Sequence, residues 1–165
     1  MNRKYFKLWF RLDNIDSYLI WFDDESDGFV SDSRGKVPCF LHTEDLLRYA
    51  SSENLSVETI EPILRDLDLV ASWLGASETE VVDCKILLDA WNIFDDVSRS
   101  VGGNFDANPK LTNKIYDKLF WGNNLPSVTP KGKSYEPIWA KRELKIIRET
   151  LSAGLSLFRE KISYL

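Results

Sequence analysis

The sequence predicts an α+β fold: an N-terminal antiparallel β-meander of three to four strands followed by packed α-helices, in a single domain over residues 1–165. Three observations carry that expectation. Aromatic-rich stretches broken by short turn signals fill the first 41 residues. Beyond them, and most clearly over 83–101, apolar residues recur at helical spacing. No linker, internal repeat or low-complexity tract divides the chain, and 165 residues suit one domain of roughly 100–200 residues.

Residues 4–12, with Tyr5, Phe6, Leu8, Trp9, Phe10 and Leu12, read as the first strand. Asp13-Asn14-Ile15-Asp16 supplies a turn. Residues 17–22 read as the second strand. Asp27-Gly28 is a hairpin signal, followed by short strands near Phe29-Val30 and from Lys36 to Leu41, with Arg34-Gly35 as the turn between them. Thr43 then reads as the N-cap of a helix over 44–53, with Glu44 and Asp45 in the first turn, where the helix dipole favours acids. Residues 54–60 suit a short extra strand. Pro62 allows a new start, and 66–75 reads as a helix ending at Gly75.

The clearest element is 83–101. Ile86, Leu87, Ala90, Trp91, Phe94, Val97 and Val101 lie on one helical face, and Lys85, Asp89, Asn92, Asp96 and Arg99 on the other. Asp83 caps its start and Gly102-Gly103 stops it. A helix over 110–121 carries Leu111, Ile115, Leu119 and Phe120. Pro137 suits the first turn of a last helix over 137–163, with the stripe Leu144, Ile147, Leu151, Gly154, Leu155, Phe158 and Ile162.

Composition narrows the chemistry. Hydrophobic residues make up 44% and charged residues 28%, as in globular rather than disordered chains. A domain of this size buries about two thirds of its unfolded surface and needs no disulfide or metal staple. One histidine and two cysteines exclude a zinc site built from His and Cys, and leave His42 as the sole histidine for a Ser-His-Asp or Cys-His catalyst. His42 reads as structural, because Glu44 and Asp45 are first-turn acids rather than its orienting partners. Cys39 and Cys84 read as two buried thiols rather than a disulfide. The basic start has no apolar run and cleavage site behind it, and no 18-residue apolar stretch follows. A cytoplasmic protein with no membrane partner and no cofactor is expected.

The charge is unevenly spread. The whole chain has 26 acids and 21 bases, a net of −5, the opposite sign from a duplex-wrapping protein, so no nucleic-acid partner is expected. Residues 1–100 hold 20 acids and 10 bases (net −10), and residues 101–165 hold 6 acids and 11 bases (net +5). Residues 12–33 contain Asp13, Asp16, Asp23, Asp24, Glu25, Asp27 and Asp32 and no Lys or Arg. Such a run makes a negative field that steers a positive partner, or else a solvated set of turns. Asp23, Glu25, Asp27 and Gly28 match the first half of an EF-hand loop, but Arg34 stands where the closing Glu should be, and a hairpin turn is the better reading. Asp89, Asn92 and Asp96 share a helix face that is either solvated or a weak divalent-ion or carboxylate site. Lys141, Arg142, Lys145, Arg148 and Arg159 form either a phosphate stripe or the partners of the acidic half. The stretch 121–136 is long for a connection without periodicity, and Trp121, Tyr135 and Trp139 flank it. They either anchor a binding loop or pin it to the core.

With its acidic meander Trp21-Phe22-Asp23-Asp24-Glu25-Ser26-Asp27-Gly28-Phe29-Val30, its helix segment Leu88-Asp89-Ala90-Trp91-Asn92 and its segment from Lys118 to Pro126, the chain resembles the small immunity proteins of bacterial contact-dependent growth inhibition and related polymorphic toxin systems. The resemblance covers the chain as a style rather than a strict motif. It implies a non-catalytic domain that binds the C-terminal toxin domain of a sister-cell effector and blocks its active site, the toxin often being a nuclease with a basic cleft. Charge and loop composition, not the resemblance, select the contact residues: Asp23, Asp24, Glu25, Asp27 and Asp32 first, then Trp121, Asn123 and Tyr135. The alternatives are an intracellular adaptor or regulatory subunit using the aromatic loop, and an enzyme using Asp89 and Asp96.

Overall fold

The computed structural model describes residues 3–77, 81–106 and 108–165. Two long strands lead the chain, β1 (Lys4–Leu12) and β2 (Ile15–Asp23), paired antiparallel from Lys4 opposite Asp23 to Leu12 opposite Ile15. Asp13 and Asn14 connect them with φ of 54° and 61°. Positive φ at both central residues defines a two-residue turn of type I′, whose twist suits a hairpin and which Asp and Asn tolerate. The turn is held from outside. The Asp68 carboxylate accepts the N–H groups of Asp13 and Asn14 at 2.7 and 2.8 Å, and Arg159 forks onto the Asp13 carboxylate. Asp68→Ala is expected to cost about 1–3 kcal/mol in urea unfolding by stripping two N–H groups of their charged acceptor; a loss below a few tenths would show that water replaces it.

The short strand β3 (Gly28–Phe29) pairs antiparallel with β2, so the sequence-predicted α+β fold with an N-terminal antiparallel meander is present, in the order β3-β2-β1. The fourth strand departs from expectation. Among the described residues β4 (Val37–Cys39) forms no ladder with the meander; it packs in the same core, and Phe40 just beyond it makes an antiparallel bridge to Tyr18. Its ladder partner is a C-terminal strand, described below.

Helix α1 (Thr43–Ser52) begins one residue earlier than expected, with His42 at the cap position and no side-chain cap. The segment after it returns to β1. Val57 bridges Tyr5, and β5 (Leu64–Asp66) runs parallel to Trp9–Arg11, completing the sheet β3-β2-β1-β5. The strand expected over 54–60 is thus one bridge, and the true strand lies where the sequence suggested a helix start. Helix α2 (Leu67–Gly75) is capped by Asp66, which accepts the Asp68 N–H. Helix α3 (Cys84–Val101) starts under Asp83, which accepts the Ile86 N–H, and ends at Gly102 in the left-handed conformation. Both were legible in the sequence.

Helix α4 (Pro109–Gly122) follows, then a long connection, helix α5 (Lys141–Lys161) and strand β6 (Ile162–Tyr164). Helix α5 starts four residues later than Pro137. Its first turn is fixed by Glu143, which accepts the Ala140 N–H at 3.0 Å and the Lys118 ammonium at 2.9 Å. β6 pairs parallel with β4, Val37 opposite Ile162.

Alternation sorts the sheet's side chains onto two faces. Leu8, Phe10 and Leu12 of β1, with Leu19 and Trp21 of β2, meet α2, α3 and α5 in the larger core. Ile20, with Tyr5 and Tyr18 packed beside it, meets Phe40, Leu46 and Ala50 around α1. Phe158 joins the larger core, with its ring 5.0 Å from Phe10 and 5.9 Å from Phe94. Gly154 lets α5 approach α3: a Cβ there would fall 2.8 Å from Phe94 Cγ. Both cysteines are free and buried, as expected, and burial pushes the Cys39 thiol up to about 11.

Candidate interaction surface

The acidic turn 23–28 links β2 to β3 and lies against the C-terminal end of α3. Ser100 Oγ accepts the Phe29 N–H at 2.8 Å, and Arg99 donates to Ser26 Oγ at 2.9 Å. A Cβ on Gly28 would meet Ser100 Oγ at 2.6 Å, so glycine permits this close approach.

The seven acids of 12–33 do not act alike. Asp13 pairs with Arg159 and Asp16 with Arg11. Asp24 accepts the Glu25 N–H and pairs with Arg3 at 2.9 Å, which together hold its carboxyl below the usual range. Asp32 does turn chemistry: it accepts the N–H groups of Arg34 and Lys36 and pairs with the Arg34 side chain, and its carboxyl is likewise lowered. Asp23, Glu25 and Asp27 form no ion pair among the described residues, even though Lys4 is Asp23's ladder partner. The sequence run therefore divides into four compensated carboxylates and three uncompensated ones, all three on one anchored turn.

Beside this turn lies a groove of about 270 Å³ that the sequence reading did not assemble. Phe6, Leu8, Trp21 and Ile93 line its apolar part, Asp89, Asn92 and Asp96 of α3 form one wall, and Pro62, Ile63 and Arg65 the opposite lip. The shared face of Asp89, Asn92 and Asp96 was legible; that it would be roofed by segments 6–8, 21 and 62–65 was not. Asp89 accepts from Arg65 at 3.0 Å and Lys85 at 3.1 Å. Asp96 accepts the Trp21 indole N–H at 2.9 Å and pairs with Arg99. Asn92 accepts from the Tyr116 hydroxyl.

Desolvation raises the Asp96 carboxyl above its ordinary value, against the pull of Trp21 and Arg99, with Asp27 and Asp95 adding repulsion. The folded chain thus holds this proton more tightly than the unfolded chain. Stability from this group falls as pH rises from the ordinary carboxylate value through the raised one. Asp96→Asn keeps an acceptor for Trp21 and removes the titration. The variant's stability relative to the natural chain is expected to climb as pH rises above the ordinary carboxylate value; a pH-independent difference in urea unfolding would contradict it.

The predicted loop residues sit elsewhere. Asn123 and Tyr135 line a cavity of about 740 Å³ with Cys84, Lys85 and Pro137. Asn124 closes the loop, its amide donating to Tyr135 O at 3.0 Å and its side-chain oxygen accepting the Tyr135 N–H at 2.7 Å. Trp121 is half exposed and stacks edge-on with Phe120 at 5.2 Å. This loop meets α3 at Cys84 and Lys85, the acidic turn at Arg99 and Ser100. At 1.5 Å rise per residue the two patches are roughly 22 Å apart along the helix. The structure therefore does not bring the two predicted contact sets together; the groove lies between them.

The basic residues of α5 also part company. Arg148 donates to the carbonyls of Trp73 and Ser77 at the end of α2, Arg159 holds the hairpin turn, and Lys145 pairs with Glu149. His42 is exposed at the start of α1. Among the described residues no group of three His, Cys, Asp or Glu side chains is placed to hold a metal ion, and no helix is long and apolar enough to cross a membrane.

The chain matches no protein-family profile and no curated protein. Among solved structures it is similar to the C-terminal domain of SatS, determined in complex with bromine, with a TM-score of 0.54 and 12% identity over 99% of this chain and 94% of that one. At that identity the likeness is one of fold.

Proposed function

We propose that the protein is an immunity protein of a contact-dependent growth inhibition or related polymorphic toxin system, acting in the cytoplasm by stoichiometric binding to a cognate toxin domain rather than by turnover. The observation that carries this reading is the acidic turn. Asp23, Glu25 and Asp27 lack basic partners among the described residues, and the turn is anchored to α3 at Ser100 and Arg99. A rigid cluster of uncompensated carboxylates offers a nuclease's phosphate-binding cleft the charge it is built to receive, and it speeds encounter. Asp24 supports the turn that presents these groups, and Asp32 the separate turn over 32–36.

A second reading, an adaptor or regulatory subunit, draws on the half-exposed Trp121 and Tyr135 at the far end of α3, which need no basic partner. A growth assay separates the two. Expression of the toxin-like C-terminal fragment encoded beside this gene should arrest growth, and co-expression of this protein should relieve the arrest while an unrelated toxin still kills. Arrest that persists, or a fragment that causes none, overturns the immunity reading and favours the adaptor.

A further inference from the structure

We infer that the groove between the edge of β1 and α3 receives an extended segment of the toxin, one carrying a basic side chain beside a large apolar one. The inference rests on the immunity reading and adds where, and by what chemistry, the partner is held.

Ile20 uses its carbonyl to accept the Val30 N–H, and Tyr18 exchanges both backbone hydrogen bonds with Phe40. Tyr18 and Ile20 therefore direct their backbone groups away from β1. Their ladder partners Trp9 and Lys7 stand at non-hydrogen-bonded positions and direct theirs away from β2, toward the β5 side. There Tyr5 is bridged by Val57 and Trp9 is paired with Leu64. Seven steps of chain, from 57 to 64, thus span four steps of β1, from 5 to 9. The surplus arches off the edge and leaves Lys7, the position between, facing the groove. The arch carries Ile60 and Ile63, 64% and 72% exposed. An edge position, an apolar floor and an exposed apolar lip are what an extended segment uses when it lies along a sheet edge.

Charge complementarity names the segment. At the end nearest the acidic turn, Asp95 and Asp96 share one guanidinium, that of Arg99, and Asp27 adds its field to the same place. Three carboxylates against one base leave room for a second guanidinium or ammonium. Farther along, Asp89 Oδ1 and Asn92 Nδ2 have no hydrogen-bond partner among the described residues and offer one acceptor and one donor, the match for a peptide group. Phe6, Leu8, Trp21 and Ile63 then take the apolar side chain.

Titration calorimetry of the purified protein with the cognate toxin domain tests this. Ile63→Glu on one lip and Asn92→Arg on the other should each weaken binding by about 30-fold or more; Ile63→Glu, which breaks no side-chain hydrogen bond, should leave thermal melting unchanged. Ile138→Glu, 88% exposed near the far end of α3, should bind as the natural chain does. If the natural chain and Ile63→Glu bind the toxin equally, the groove assignment falls and the immunity reading stands. If the natural chain does not bind the toxin, both fall. If Ile63→Glu converts a free dimer to a monomer, the groove belongs to a second copy of this chain and the assignment is overturned.

Discussion

Phe158→Ala is expected to lower the unfolding free energy by about 3–5 kcal/mol, a large share of the roughly 5–15 kcal/mol that holds a typical domain together. The ring is fully buried and touches both layers: edge-on to Phe10 in the sheet and tilted against Phe94 in α3. Its loss opens a cavity that neither can fill, because Phe10 is fixed in the β1 ladder and Phe94 is backed by the close approach at Gly154. Gly154→Ala tests the opposite error. Its added methyl collides with the Phe94 ring, and forcing the helices apart should cost about 1–3 kcal/mol. In urea unfolding both variants should lower the midpoint and leave the slope unchanged. A Phe158→Ala loss below 1 kcal/mol would mean that the α3–α5 seam relaxes.

Reversing Asp23, Glu25 and Asp27 together to lysine is expected to slow association with the toxin domain by at least 10-fold at low salt, and to flatten the dependence of the rate on ionic strength. Dissociation should change less. Asp32→Lys should behave differently, since Asp32 anchors the N–H groups of Arg34 and Lys36: it should cost stability and leave the on-rate nearly intact. Stopped-flow measurements across salt concentrations read both. An unchanged on-rate for the triple variant would rule out the acidic turn as the steering element, even if the protein still neutralised the toxin.

Local signals carried most of the fold. The pattern 4–12, the capping Asp83, the stripe through Phe94 and the stop at Gly102 each express themselves within a few residues, and each is where the sequence put it. The misses have a common cause, which is partnership across the chain. Ile162-Ser163-Tyr164 continues the apolar stripe of α5 for one more position, and three residues cannot distinguish a helix's last turn from a strand. Only Val37–Cys39 lying alongside makes it a strand. β5 is invisible for the same reason, because its parallel ladder is supplied by Trp9–Arg11. Pro137 looked like a helix start, yet Lys118 holds the Ile138 carbonyl and Glu143 the Ala140 N–H, and together they delay the helix to Lys141. In the candidate site, the acidic run was legible as composition. Which acids were compensated was not, because the bases lie outside the run: Arg11 and Arg34 border it, Arg3 lies well before it and Arg159 near the far end of the chain.

The β4–β6 pairing also sets the order in which the molecule can form. Val37 and Ile162, its first ladder partners, are 125 positions apart, and closing so long a span is the slow, entropy-limited part of folding. The β1–β2 hairpin needs no such wait. During refolding, Val37–Cys39 therefore stands as an unpaired strand until β6 arrives, with an open edge that another chain could use. Refolding yield should fall with protein concentration more steeply than for a fold closed by local contacts, and a synthetic peptide of the β6 sequence should recover part of the loss.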